Sequence, residues 1–462
     1  MTLIKSISGI RGTIGGLPGE NLTPIDIVKF TSAFGIYIKR QRNTETPKMV
    51  IGRDARPSGE MVEHIVTGTL MGLGFEVIDL GMATTPTVEI AVEAESADGG
   101  IILTASHNPK EWNALKLLNH KGEFLNDEEG KEVLIIAENK SLEFTRVEQV
   151  GRIQGKDYLE EHIQRILGLE LVDKKIISSA HFKVVVDGIN SIGGIAIPRL
   201  LKALGVKHVI EVNCRPDGEF AHNPEPLPEN LTEITRAVKE NNADLGIVVD
   251  PDVDRLAFVD EKGDMFGEEY TLVAVADYVL QNKVGNTVSN LSSTKALKEF
   301  TESKGGKYSA SAVGEVNVVE KMKEVNAVIG GEGNGGVIYP EIHYGRDALV
   351  GVGLFLSFLA KKGVSCSELR SAYPSYHISK NKIKLTPEID TGKILDALKT
   401  QYSDYPIIDI DGVKIEFETG WVHLRKSNTE PIIRVYSEGN SKEDAEKLAK
   451  RVMDTAYQII ER

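Results

Sequence analysis

The sequence predicts an α/β protein in which three related α/β domains are followed by a distinct C-terminal α+β domain. Three observations lead there. Short apolar runs recur in ADGGIILTASHN (97–108), ADLGIVVDPDVD (243–254) and VNAVIGGEGNGG (325–336), each running straight into a small or polar loop. Upstream of each lies a strand–loop–helix pattern: VIGRDARPSGEMVEHIVTGTLMGLG, VVVDGINSIGGIAIPRLLKALG and TVSNLSSTKALKEFTESKGG. From about Pro374 the pattern turns strand-rich.

Each apolar run has the length and composition of a fully buried strand. The upstream helices are expected to start at a capping Ser or Thr and to end near Gly74, Gly205 and Gly305, where glycine tolerates a left-handed backbone. Alternating strands and helices imply parallel sheets, in which ligands gather at the carboxyl ends of the strands. Chance similarity among apolar strands is the alternative to a true repeat. LVGVGLFLSFLA (349–360) is too short to span a bilayer and reads as a buried helix. In the tail, HISKNKIKL, IIDIDGVKIEFE with its Asp-Gly turn, and WVHLRKSNTEPIIRVYSE read as strands. A last helix is expected to begin at a capping Ser441. The expected domains are 1–152, 153–258, 259–373 and 374–462.

At 462 residues the chain exceeds what one hydrophobic core usually organises. A net charge of −14 argues against nucleic acid or an anionic membrane as a partner, so any anion must bind in a locally basic pocket. Two cysteines, Cys214 and Cys366, are too few for a disulfide framework or a cysteine metal site. MTLIKSISGIRG lacks the apolar core of a signal peptide, and a cytoplasmic location is expected.

Chemistry concentrates in the loops after the strands. In IVVDPDVDR, Asp250, Asp252 and Asp254 project one way from a loop that follows a buried strand. Two carboxylates 4 Å apart repel by roughly 4 kcal/mol at an intermediate dielectric, so three converging need a cation. All-oxygen ligands favour Mg²⁺. A calcium EF-hand nearly fits, with Glu261 at the twelfth position, but Arg255 stands where that loop requires glycine and LAFV follows as a strand. A phosphatase that phosphorylates one aspartate and a solvated acidic turn are the other readings. RKSNTEPIIR (425–434) offers guanidinium forks and hydroxyls suited to a phosphate dianion, or merely arginine along a surface strand. GGEGNGG (330–336) lets backbone approach a ligand closely, with Glu332 and Asn334 able to bind hydroxyls or an amine. GIRG (9–12) and GRDARPSG (52–59) add Arg11, Arg53 and Arg56.

TASHNPKEWNALKLL (104–118) poses the remaining question. A hydrolase triad rarely places its histidine beside the nucleophile, and no G-x-S-x-G elbow surrounds Ser106. A phosphoserine carries about −1.5 to −2 charges and would complete the oxygen cage of a three-aspartate metal. Lys116 then reads as a general acid/base whose pKa is lowered by neighbouring arginines. Ser106 as an ordinary turn residue is the bland alternative.

TASHNP, DPDVDR, GEGNGG and RKSNTEP stand here in the order found in the α-D-phosphohexomutases, and the resemblance covers essentially the whole chain. It implies a four-domain architecture, three mixed-sheet α/β domains plus a C-terminal α+β domain around a central cleft. It implies a phosphorylated Ser106 and Mg²⁺ held by Ser106, Asp250, Asp252 and Asp254. Lys116, His107, Arg11 and Arg255 would line the transfer site. Glu332 and Asn334 would read sugar hydroxyls, and Arg425, Ser427, Asn428, Thr429 and Arg434 would clamp the non-reacting phosphate. The implied reaction moves phosphate between the 6- and 1-hydroxyls of a hexose, with a hexose 1,6-bisphosphate as intermediate and activator. The C-terminal domain would rotate to close the cleft. The expected partner is a small phosphosugar, with no nucleic acid or membrane, and the chain a monomer or homodimer.

Two features depart from the family pattern. The sugar loop ends in Asn334-Gly335-Gly336 rather than Ser-Gly-His, and AVGE carries Glu315 where a histidine is often found. Glu315 favours an amino sugar through its ammonium, whereas the Ser-Asn-Thr clamp resembles mannose and glucose enzymes. An aspartyl phosphatase and a non-catalytic phosphosugar-binding protein are the readings from other classes.

Overall fold

Runs that can bury both faces become central strands. Gly99–Leu103 and Leu245–Val249 are buried at every residue, and Ala327–Glu332 at all but one. Each pairs in parallel with the strand of its upstream pattern: Lys48–Arg53, Lys183–Asp187 and Asn286–Asn290 respectively. The helices that follow those upstream strands are Gly59–Gly72, Gly193–Leu204 and Ala296–Ser303. Gly74, Gly205 and Gly305 close them with φ of 85°, 89° and 81°, as expected. The computed structural model describes residues 2–6, 9–42, 44, 46–139, 142–386, 389–427 and 432–460.

The expected Ser or Thr caps do not form. Ser58 stands at the cap position but makes no capping bond, and Ile192 and Lys295 occupy the cap positions of the second and third helices; Thr294, one residue earlier, accepts the Ala296 N–H at 3.2 Å. Ser191 instead donates its hydroxyl to the Pro251 carbonyl at 2.6 Å, tying this turn to the aspartate loop. The sheets are mixed, as the family resemblance implied, and not purely parallel as strand–helix alternation alone suggested. After the first two of these loops the chain doubles back, so Trp112–Leu118 runs antiparallel to Gly99–Leu103, and Leu256–Asp260 antiparallel to Leu245–Val249. The first sheet is ordered Ile4–Ser6, Gly9–Thr13, Trp112–Leu118, Gly99–Leu103, Lys48–Arg53, Glu76–Met82, Ile153–Gly155. Ile153–Gly155 thus extends that sheet just past residue 152, and Leu256–Asp260 completes the second sheet across residue 258.

The tail forms the expected small α+β domain, its five-stranded antiparallel sheet ordered His377–Lys384, Ile432–Gly439, Gly420–Lys426, Val413–Phe417, Ile407–Ile408, with a helix at Thr391–Gln401 that was not expected from the sequence. Val422, Leu424, Ile433 and Val435 point to one face and pack with Ile394, Leu398 and Val452 of helices Thr391–Gln401 and Lys442–Ile460. Alternation with a period of two leaves the opposite face to polar side chains. Ser441 accepts the Asp444 N–H at 3.1 Å, the predicted cap.

The backbone packs as two compact units, one of residues 1–279 and 334–370, the other of residues 280–333 and 371–462. In the first unit, the apolar run at 349–360 lies in helix Ala348–Lys362, buried from Ala348 through Leu359 and capped by Asp347. No helix among the described residues is long and apolar enough to cross a membrane.

Candidate active site

Ser106 leaves its strand with φ of +48°, a left-handed conformation that costs a non-glycine residue about 1–2 kcal/mol. A buried ring of hydrogen bonds holds it there. The Ser106 N–H donates to Thr104 Oγ1 at 2.9 Å, and Thr104 donates to Asp54 Oδ2 at 2.6 Å. Arg56 Nε donates to Asp54 at 2.8 Å while its Nη2 donates to the Ser106 carbonyl at 3.0 Å. Arg56 therefore holds the serine backbone, and Arg53 pairs with Glu63 at 3.0 Å; both arginines are engaged within the protein.

The Ser106 hydroxyl donates to Asp250 Oδ2 at 2.7 Å. Asp250 sits at the end of a wholly buried strand, and its Oδ1 accepts the N–H groups of Asp254 and Arg255 at 3.2 and 3.1 Å. This local turn drives Val253 to φ of +62°, and a β-branched side chain pays strain there. Asp250, Asp252 and Asp254 are fully buried, and a carboxylate oxygen from each lies within 4.8 Å of the others. Asp252 Oδ2 accepts from Thr85 Oγ1 at 2.6 Å and from Lys116 Nζ at 2.7 Å. Asp254 Oδ2 accepts from Arg346 Nη2 at 2.6 Å, with Lys116 Nζ 3.7 Å away.

Oδ1 of Asp252 and Oδ1 of Asp254 are buried with no hydrogen-bond partner. Leaving a buried acceptor unsatisfied costs about 1–3 kcal/mol, more for a charged group. An all-oxygen set with orphaned atoms fits a hard divalent cation such as Mg²⁺. The titration behaviour agrees. Burial, then the Asp254 and Asp252 carboxylates, push Asp250 well above the usual carboxylate range. Burial also disfavours ionisation of Asp252, but Lys116 and Thr85 outweigh it and hold that group below its usual range.

Lys116 comes from Trp112–Leu118, where it lies opposite Ile102 of the serine-bearing strand. Its expected pKa shift has the wrong sign. Burial pulls the ammonium down, but Asp252 and Asp254 outweigh it and raise the pKa above the ordinary lysine value. The neighbours that dominate are carboxylates rather than arginines. His107 Nδ1 stands 3.4 Å from the Ser106 hydroxyl. Burial, followed by Arg255 and Arg11, keeps the imidazole neutral by lowering its pKa far below the normal range. Arg11 extends from Gly9–Thr13 to Asn108 Oδ1 at 3.0 Å. Arg255 lies 3.7 Å from Glu225, and its buried Nε has no partner.

Asn334 belongs to the same unit, and its Oδ1 accepts the Gly336 N–H at 3.1 Å. The glycines around it serve chain packing as well as any ligand. Gly335, at φ of +85°, has a carbonyl that accepts from the Leu256 N–H, and a Cβ there would lie 2.2 Å from the Leu256 oxygen.

The second unit carries the remaining predicted residues. Glu332 ends its strand and its Oε1 accepts from Asn290 Nδ2 at 2.8 Å and the Gly314 N–H at 3.2 Å. Glu315, next along the chain, begins helix Glu315–Glu324 and is buried. Arg425 and Arg434 stand directly opposite each other on adjacent antiparallel strands. Like charges so placed are destabilising unless an anion joins them. Burial is the main cause, with Arg434, that lowers the Arg425 pKa, and the buried Arg425 Nε has no partner. Ser427 is buried and its N–H donates to the Ile432 carbonyl at 3.0 Å; Asn428 and Thr429 lie outside the described residues. If the pair grips phosphate, Arg425→Ala is expected to raise KM about 10–100-fold, the loss of a charge-assisted hydrogen bond, with kcat nearly unchanged. Steady-state kinetics check this, and a loss confined to kcat refutes it.

Thr85, Arg346, Asp54 and Thr104 were not among the expected site residues. Arg346 had a legible signal, an arginine in a short turn (YGRDAL) like the other loop arginines. Thr85 had none, because its role depends on a partner 167 positions away.

Four phosphoglucomutase/phosphomannomutase domain families match in order: alpha/beta/alpha domain I over residues 3–143, domain II over 157–263, domain III over 267–376 and the C-terminal domain over 382–455. A phosphoglucomutase/phosphomannomutase of Thermococcus kodakarensis is 38% identical over 440 residues, covering 94% of this chain and 95% of that one. A probable phosphoglucosamine mutase of Methanopyrus kandleri is 32% identical over 459 residues, 98% of each chain. The crystal structure of a phosphoglucomutase/phosphomannomutase family protein from Burkholderia thailandensis superposes with a TM-score of 0.84 at 26% identity, covering 98% of both chains. With every domain matched in sequence order and relatives aligned almost end to end, the chain belongs to the phosphoglucomutase/phosphomannomutase family and is a phosphohexomutase.

Proposed function

We propose that the protein interconverts the 6- and 1-phosphates of a hexose through a phosphorylated Ser106 and a hexose 1,6-bisphosphate, with glucosamine phosphate as its sugar. The observation that carries the reaction is the Ser106 hydroxyl, 2.7 Å from Asp250, at the rim of a buried three-aspartate set that has orphaned oxygens. A phosphoryl group on Ser106 would share that set's cation. Asp250, Asp252 and Asp254 would hold Mg²⁺, which when bound supplies charge neutralisation for phosphoryl transfer.

The chain's own residues divide the remaining work. Lys116 holds a proton at Nζ that would pass to Ser106 Oγ as its bond to phosphorus breaks, while the proton lost by the attacking sugar hydroxyl restores the ammonium. The same exchange in reverse accompanies return of the other phosphate to Ser106. Arg11 and Arg255 supply positive charge beside a neutral His107. Arg425, Ser427 and Arg434 would grip the phosphate that is not reacting, joined by Asn428 and Thr429. Glu332 would accept from a ring hydroxyl, with Asn334 a second reader. Nucleophilic attack from an aspartate is the alternative; Asp250 is disfavoured for it because both its oxygens are already engaged by Ser106 and two backbone N–H groups, which leaves Asp252 as the candidate in that reading.

The sugar rests on Glu315, a buried carboxylate next to Gly314, whose N–H meets Glu332. A buried carboxylate suits a ligand ammonium, and relatives at about 32% identity are named probable phosphoglucosamine mutases. The relative at 38% identity is named a phosphoglucomutase/phosphomannomutase and supports the second reading, glucose or mannose phosphate. A side-by-side measurement of kcat/KM decides, with Mg²⁺ and a bisphosphate primer present. Glucosamine 6-phosphate is expected to exceed glucose and mannose 6-phosphates by about tenfold or more, equivalent to about 1.4 kcal/mol. Equal or reversed values overturn the amino-sugar assignment, and absence of any interconversion overturns the mutase reading.

A further inference from the structure

His423 is not needed by the chemistry above, yet it closes a circuit. It lies on Gly420–Lys426, two residues before Arg425 and therefore on the same face of the strand. That face is the polar side of the C-terminal sheet, and His423 is buried in it. Its Nε2 meets the Asp411 carbonyl at 2.6 Å and its Nδ1 meets the Ser292 hydroxyl at 2.9 Å. A carbonyl can only accept, so the proton sits on Nε2 and Nδ1 accepts from Ser292. Both contacts are satisfied by a neutral imidazole. Burial, with Lys414 and Arg425, keeps it neutral by lowering its pKa to about 4.

From each end the connections lead to Glu332. The Ser292 N–H donates to Asn290 Oδ1 at 2.9 Å, and Asn290 Nδ2 donates to Glu332 Oε1 at 2.8 Å. Asp411 Oδ2 accepts the Val313 N–H at 3.0 Å, and the next N–H, from Gly314, donates to the same Glu332 oxygen at 3.2 Å. Six hydrogen bonds thus form a closed loop through His423 and Glu332. Glu332 itself stands between glycines 331 and 333, which give it little rigidity of its own.

We propose that His423 is a positioning residue that holds the sugar-reading Glu332 and the phosphate-binding Arg425 at one fixed separation, so that this unit recognises hexose and phosphate as a rigid pair of points. This rests on the roles given to Glu332 and Arg425 above. A hexose phosphate must satisfy both points at once, whereas inorganic phosphate needs only Arg425 and Arg434. The circuit therefore sharpens binding of the first and is irrelevant to the second.

The test compares two probes, glucosamine 6-phosphate and inorganic phosphate, by calorimetry on the full chain. His423→Phe keeps the ring and loses both hydrogen bonds; Ser292→Ala opens the circuit without touching the strand that carries Arg425. Each variant is expected to weaken glucosamine 6-phosphate, His423→Phe by about tenfold, while inorganic phosphate stays within about twofold. His423→Gln, which can still donate to Asp411, is expected to recover part of the loss. Equal weakening of both probes means that His423 merely supports the sheet, and unchanged binding of both means that the circuit sets nothing; either result overturns the proposal. Because binding is read directly, a chain that bound both probes but turned over no hexose phosphate would refute the mutase reading and leave this inference standing.

Discussion

Ser106→Ala is expected to lower turnover by roughly 10⁴-fold or more while leaving phosphosugar binding close to wild type. The substitution isolates the hydroxyl. Alanine and serine carry the same penalty at a φ of +48°, and the ring through Thr104, Asp54 and Arg56 holds the backbone of residue 106 rather than its side chain. What disappears is the phosphate carrier and one donor to Asp250. Intact-mass and peptide mapping provide the second measurement, with one phosphoryl group on the wild-type peptide that contains Ser106 and none on the variant. Full activity in Ser106→Ala, or an acid-labile phosphate on Asp250 or Asp252, would sink the phosphoserine mechanism in favour of an aspartyl phosphatase.

Lys116→Met is expected to show two losses that respond differently to metal. Removing a positioned acid/base lowers kcat about 10²–10⁴-fold, and adding Mg²⁺ does not restore it. Removing one partner of a buried ion pair costs about 3–5 kcal/mol when the other charge is left uncompensated. Lys116 is the ammonium on Asp252 and also faces Asp254, so the metal-free variant should unfold at a distinctly lower temperature. A divalent cation takes over that neutralisation, and Mg²⁺ should raise the melting temperature of Lys116→Met more than that of the wild type. Thermal unfolding with EDTA and with Mg²⁺ checks the second loss. Equal Mg²⁺ stabilisation of both proteins would separate Lys116 from the metal site.

The fold was legible wherever burial on both faces left a continuous apolar run, as in GGIIL and LGIVV, and wherever a left-handed glycine marked the end of a helix. Sheet direction was not. Nothing local in WNALKLL or LAFVD distinguishes a strand that doubles back from one that crosses over, because direction is set by pairing across the sheet. Candidate chemistry was legible where reactive residues cluster within a few positions, as the three aspartates do. It was illegible where partners lie far apart in the chain, as for Thr85 with Asp252 and Arg346 with Asp254. The sign of the Lys116 shift was illegible for the same reason, since the charges that dominate it come from another domain.

The left-handed turn at residue 106 has an evolutionary consequence. Glycine would adopt that backbone without steric penalty, so backbone strain alone favours Ser106→Gly, set against the donor that Asp250 would lose. A hydroxyl is what the proposed phosphoserine chemistry demands. Position 106 is thus a site where the backbone and the chemistry favour different residues, and the hydrogen-bonded ring around it is what lets serine persist there.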